Sequence, residues 1–161
     1  MESFLQIIFF TLVPALELRA SIPFGIFYTD LPWLSVFITA IISNIILGFV
    51  VFYLMKIIIQ VITKIKFVNS LWQKYVERTR NKIHEGVEKY GEWAVAVFIG
   101  IPLPGSGVYT GALAAFLIGL DPKKFWVANV VGVLIAGIVV TIVSLTGSGL
   151  AEIFLKEVSQ P

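Results

Sequence analysis

Apolar positions fall into two kinds of stretch along this chain. Trp33–Met55 and residues 125–146 are uninterrupted, with no charged residue in either. Residues 4–28 and 93–119 are as apolar overall but broken. The first contains Pro14, Glu17, Arg19 and Pro23; the second contains Pro102 and Pro104, then Gly105 and Gly107. A helix of 23 residues, Trp33 to Met55, rises far enough to cross a hydrocarbon core of about 30 Å. The broken stretches are poor candidates for lipid-exposed spans. Proline removes a helical hydrogen bond, and a freed carbonyl in hydrocarbon has no water to turn to. Broken backbone at that depth persists where it is buried in protein or lines a wet cavity, so both stretches are expected to be re-entrant.

The order is broken stretch, short turn, clean span, and then the same again. Both turns hold Asp and Pro (Asp30 and Pro32; Asp121 and Pro122), and each clean span opens near a tryptophan, Trp33 or Trp126. Tryptophan suits the membrane interface. Between the halves, residues 63–92 hold seven Lys and Arg against four Glu. Val68, Leu71, Trp72, Tyr75 and Val76 recur there at the spacing of an amphipathic surface helix, with a solvated connector as the plainer reading. The expectation is one all-α integral membrane domain over 1–161. It comprises a re-entrant hairpin at 4–28, a transmembrane helix at 33–62, a basic amphipathic linker at 63–92, a second re-entrant hairpin at 93–119, a transmembrane helix at 125–147 and a polar tail at 150–161.

Charge selects the topology. If all four stretches crossed the membrane, Lys123 and Lys124 would lie outside, against the positive-inside rule. If both broken stretches enter and leave on one face, nine of the twelve basic residues fall in cytoplasmic loops and Lys56 snorkels the same way. Each half then makes one net crossing, and the halves are inverted repeats. That plan places a transport site near midplane. The linker is cytoplasmic in this topology, and two crossings per chain leave room for a homodimer.

Composition agrees. The 161 residues are 58% hydrophobic and 14% charged, with mean hydropathy +0.93. There is no cysteine, and the single His84 lies in the charged linker, where solvation is the plain reading, so no metal site is expected. Met1-Glu2-Ser3 has no basic n-region and no small-residue cleavage site follows, so no removable signal peptide is expected. No nucleophile–His–acid set, HExxH or phosphate-binding loop is present. The chain is expected to be neither an enzyme nor a nucleic-acid binder, and to need no cofactor.

The costliest residues are Glu17 and Arg19, since an ionised side chain at membrane depth costs at least about 2.5–3.5 kcal/mol. In an unwound tip between Pro14 and Pro23 they would line one cavity. Arg19 suits a phosphate or carboxylate. Glu17 can carry a proton, with burial and the nearby guanidinium acting on it in opposite senses. The alternative is that the two close an ion pair, within the chain or across a dimer, that merely holds the hairpin. In the second hairpin the amides of Gly105, Ser106 and Gly107 can cradle an anion, with the Ser106, Tyr109 and Thr110 hydroxyls nearby. Gly107, Gly111, Ala115 and Gly119 fall at i+4 steps and read as a helix-packing stripe, which also offers a dimer one way to pack. Asn44 and Asn129, uncharged polar groups in the clean spans, would bridge helices or line the path, with packing as the favoured reading.

Two motifs carry a resemblance. Residues 14–23, Pro-Ala-Leu-Glu-Leu-Arg-Ala-Ser-Ile-Pro, and residues 101–115, Ile-Pro-Leu-Pro-Gly-Ser-Gly-Val-Tyr-Thr-Gly-Ala-Leu-Ala-Ala, resemble the two signatures of the small multi-drug export protein family. The match covers nearly the whole chain. More distantly the plan is similar to the DedA/VTT superfamily, whose members have two facing re-entrant hairpins and include lipid flippases and scramblases. DedA-type members carry arginines in the second hairpin; Gly100–Gly107 here has none, leaving Arg19 alone to serve a phosphate.

The resemblance and the pattern together imply a secondary transporter in the inner or cytoplasmic membrane. Glu17 would couple a proton. Arg19, Gly105, Ser106, Gly107, Tyr109 and Thr110 would contact an amphipathic or anionic substrate, lipid included. The alternatives are a lipid scramblase or flippase without obligatory ion coupling, and a structural factor in a membrane complex.

Overall fold

The computed structural model describes residues 1–14, 16–63, 77, 91–101 and 106–158. Of the predicted basic linker at 63–92, residues 64–76 and 78–90 lie outside the described residues, as do Pro102, Pro104 and Gly105 of the second break.

The described residues form six helices: α1 (Glu2–Leu12), α2 (Glu17–Tyr28), α3 (Trp33–Thr63), α4 (Glu92–Gly100), α5 (Val108–Leu117) and α6 (Pro122–Val158). Four are short. At 1.5 Å per residue none exceeds about 18 Å, well under a hydrocarbon core. The other two contain apolar spans, Trp33–Met55 and Pro122–Gly147, of mean hydropathy 2.4 and 2.5. Only 39% of each span is buried in the chain. Ile38, Ile42, Ile46 and Val50 form an outward stripe on α3, and Ile135, Ile138 and Ile142 do so on α6. Contiguous apolar faces of that size suit lipid rather than water, so the chain is a membrane protein.

Local chemistry explains the boundaries. α1 stops at Val13, which is extended because the residue before Pro14 is driven out of the helical region. α5 ends in a Schellman motif: Leu120 N–H donates to the Ala115 carbonyl at 2.9 Å and Gly119 N–H to the Phe116 carbonyl at 3.1 Å, with Gly119 at φ +68°. α6 then starts at once. Asp121 Oδ1 accepts the Lys123 amide at 2.8 Å, and Pro122 takes the first helical position, where a missing N–H costs nothing. The helix begins at Pro122, just before the apolar span read at 125–147, and its backbone runs on to Val158.

Packing fixes how the helices sit. Thr11 Oγ1 donates to Ser21 Oγ at 2.8 Å, and the Phe10 and Phe24 rings lie 4.4 Å apart, so α1 and α2 run side by side in opposite directions. A Cβ on Gly48 would meet the Asn129 side chain, and one on Gly137 would meet Ile41. Those two contacts set α3 antiparallel to α6. Gly132 receives the Ala96 carbonyl and Ile99, and Gly100 receives Ile135, so α4 lies parallel to α6. Ile7, Leu18, Ile22, Val36, Val108 and Phe125 close the core at the centre of the bundle.

Pro23 departs from expectation. It does not end a helix: α2 runs through it to Tyr28. Proline cannot donate to the carbonyl four residues back, so it frees the Arg19 carbonyl without breaking the helix. Among the described residues the break therefore falls at Val13, Pro14 and Leu16 and does not reach Pro23.

Candidate functional site

The first residue of α2 and the first turn of α5 meet inside the bundle. Glu17 is 3% exposed. Its φ of +45° is the only positive φ of any non-glycine residue described. This backbone places the carboxylate on the N-terminus of α5, where two amides have no helical partner. Val108 N–H donates to Oε2 at 3.1 Å and Tyr109 N–H to Oε1 at 3.4 Å. The positive end of the α5 dipole favours a carboxylate there. The Asn44 side chain of α3 is buried and acts electrostatically on the same carboxylate.

Gly107 makes this approach possible. It sits at φ +114°, and a Cβ on it would lie 2.6 Å from Glu17 Oε2. The sequence reads Gly107 as part of a packing stripe and as an anion cradle with Gly105 and Ser106. Its missing side chain leaves room for Glu17, and the cradling amides, those of Val108 and Tyr109, are taken by a carboxylate of the chain itself.

Arg19 is half-buried and turns to the break preceding α5. Its Nη2 donates to Ser106 Oγ at 2.8 Å and to the Ile101 carbonyl at 3.4 Å, and Ser106 Oγ donates to the same carbonyl. Among the described residues Glu17 and Arg19 form no ion pair within 4.0 Å, so the pair is not closed within the chain. Both reach across to the second half of the chain, Glu17 to α5 and Arg19 to its approach. Tyr109 adds a third tie, its hydroxyl donating to the Leu12 carbonyl at 2.5 Å. Thr110 is buried beside it at the start of α5.

Thus Glu17, Arg19, Ser106, Gly107, Tyr109 and Thr110 converge, while Gly105, Pro102 and Pro104 lie outside the described residues. Pro14 is exposed in the turn between α1 and α2. Of the expected stripe, Gly111 does pack, against Ile99 of α4, and Ala115 is fully buried. Gly119 has nothing within 4 Å and serves the Schellman turn instead. Since Gly111 and Ala115 are buried within the chain, the stripe is no surface for a second copy. Asn129 bridges helices, its Nδ2 donating to the Ile45 carbonyl at 3.0 Å. Asn44, which the sequence reads as packing or as lining the path, is buried and acts on the Glu17 carboxylate. One signal pointed to it: an amide in a charge-free span needs a polar partner, and Glu17 is among the few ionisable groups at that depth.

The fold and site together define a small helical membrane protein with a buried carboxylate joining its two halves. The chain belongs to the family described as "Putative small multi-drug export protein", whose model matches residues 17–139, from the buried glutamate through most of the second span. No curated protein and no solved structure matches the chain.

Proposed function

We infer that this chain is a proton-coupled secondary transporter of the cell membrane, moving an amphipathic or anionic substrate, lipid included, past the facing tips of two re-entrant hairpins. The observation that carries this reading is the Glu17 carboxylate of the first half seated on the α5 amides of the second. A carboxylate at that junction loses charge on protonation and with it much of its hold on the helix N-terminus, so proton binding loosens the contact between halves. The lengths of α1, α2, α4 and α5 support re-entry, and the antiparallel set of α3 and α6 supports inverted repeats. The family description is the second support for export. In this reading Lys123, Lys124 and the linker face the cytoplasm, and Arg19 with Ser106 offers the contact for an anionic group.

Reconstitution in proteoliposomes tests it, using labelled lipids and small organic cations with and without a pH gradient. Gradient-dependent movement that Glu17→Gln abolishes is the expected result. Movement that persists unchanged in Glu17→Gln removes the coupling role.

A second reading, passive lipid scrambling, is favoured by one feature. A groove of about 500 Å³ between α1 and α3 opens to the lipid, lined by Ile8, Leu12, Ile42 and Ile46 with Thr39 and Ser43 among them. It abuts the site through Leu12, whose carbonyl takes the Tyr109 hydroxyl. Lipid movement that survives collapse of the proton gradient selects this reading.

A further inference from the structure

Glu17 and Arg19 carry opposite charges two residues apart, yet each is held by neutral groups of one short stretch instead of by the other. Arg19 Nη2 meets Ser106 Oγ at 2.8 Å, and Glu17 Oε2 meets the Val108 amide at 3.1 Å. Two residues of backbone separate those contacts, a span of at most about 7 Å. The carboxylate accepts an amide on each oxygen. The guanidinium is less well served. Nη2 makes both of its contacts, and the three N–H donors of Nε and Nη1 have no partner among the described residues. Arg19 is half-buried in a lipid-embedded bundle, with no acid paired to it among the described residues. Idle donors on an unpaired guanidinium at that depth leave a place for an oxyanion from outside the chain.

We propose that an oxyanion on Arg19 and a proton on Glu17 bind as a pair, so that the site takes up a monoanion and one proton together. The inference rests on the reading of Glu17 as a proton carrier and deepens it by naming the charge of the substrate. The empty site holds one cation and one anion. A monoanion alone would leave one negative charge uncompensated in a low-dielectric surround, which is costly. A proton on Glu17 restores the balance, so the empty and the loaded site carry the same net charge. The Glu17 O–H is the only covalent bond formed, and its proton comes from water. By linkage each ligand favours the other by the same factor. A phosphate monoester, with nearly two charges, stays uncompensated, whereas a carboxylate or a phosphodiester fits.

The neighbouring elements bring no other charge into this balance. Tyr109 of α5 gives its amide to Glu17 and turns its hydroxyl to the Leu12 carbonyl. α1 carries only Glu2, exposed at its start, and residues 33–55 of α3 and 125–147 of α6 carry no charged side chain. Lys123 and Lys124 are exposed in the first turn of α6, where Lys124 pairs with Glu92 of α4.

Proton uptake on ligand binding tests this, measured with a pH dye in weak buffer on the full chain in phosphatidylcholine nanodiscs, against empty nanodiscs. The probes are benzoate, a soluble carboxylate, and dioctanoyl phosphatidylglycerol, a phosphodiester lipid; both stay monoanionic near neutral pH. Binding should take up a proton, and affinity should rise about 5- to 150-fold as the pH falls through the titration of Glu17. Uptake with benzoate alone assigns the site to soluble carboxylates, and uptake with the lipid alone assigns it to head groups. Glu17→Gln, which mimics the protonated acid, should bind at the acid-side affinity at every pH and take up no proton. Arg19→Gln should lose the binding. Arg19→Lys keeps the charge and should bind more weakly with proton uptake intact, which covers any folding loss in the first variant. Wild-type binding that takes up no proton, or releases one, overturns the pairing and leaves Arg19 as an anion contact. Binding of neither probe overturns the anion site, while the Glu17→Gln comparison in proteoliposomes still decides the proton carrier separately.

Discussion

Gly107 and Glu17 are built around each other: a Cβ on Gly107 would fall 2.6 Å from Oε2 and 2.9 Å from Oε1 of the glutamate. The glycine also sits at φ +114°, where a side chain is strained on its own account. Gly107→Ala should therefore cost about 2 kcal/mol or more, from strain and collision together. Thermal unfolding in detergent measures the loss, and a wild-type melting temperature would contradict the close approach.

Glu17 itself separates charge from hydrogen bonding. Glu17→Gln keeps an oxygen for one of the two α5 amides. Glu17→Ala strips both, leaving buried donors unmet at about 1–3 kcal/mol each. The alanine variant should be clearly the less stable of the two in the same melting experiment, while both fail to couple transport to protons.

Gly48 and Asn129 offer a test of the α3–α6 crossing. A Cβ on Gly48 would lie 2.4 Å from Asn129 Oδ1 and 2.5 Å from Nδ2. Gly48→Ala should destabilise by about 1–3 kcal/mol through overpacking. In an Asn129→Ala background the obstacle is gone, so the same change should cost little. A double-mutant cycle on melting reads this coupling, and strict additivity would rule out the contact.

Gly111 and Gly119 are one stripe in sequence but two situations in space. Gly111→Ala drives a Cβ to 2.4 Å from Ile99 and should cost about 1–3 kcal/mol. Gly119→Ala meets nothing within 4 Å and bears only the penalty of φ +68°, about 1 kcal/mol. A larger loss at Gly119 than at Gly111 would reverse this assignment.

Arg19 binds the approach to α5 through Ser106 and the Ile101 carbonyl. Ser106→Ala removes the shorter of the two contacts, worth about 1.5–3 kcal/mol as a bond to a charged group. Substrate affinity in transport assays should change in Ser106→Ala while proton dependence persists, because Glu17 keeps its own amides.

The membrane class, the two clean spans and the identity of the costly residues follow from composition and hydropathy alone. These depend on how many apolar groups lie in a row, which a chain states residue by residue. The signatures around Glu17–Arg19 and around Ser106–Thr110 were legible for the same reason. Their partners were not. Whether Glu17 meets Arg19, a ligand or a helix end depends on a contact between residues 91 apart in the chain, and only packing sets that distance. Likewise a glycine reads the same whether it admits a carboxylate, as Gly107 does, a neighbouring isoleucine, as Gly111 does, or a left-handed turn, as Gly119 does. Tertiary structure decided among these, because what a missing side chain makes room for is a property of the neighbour and not of the glycine.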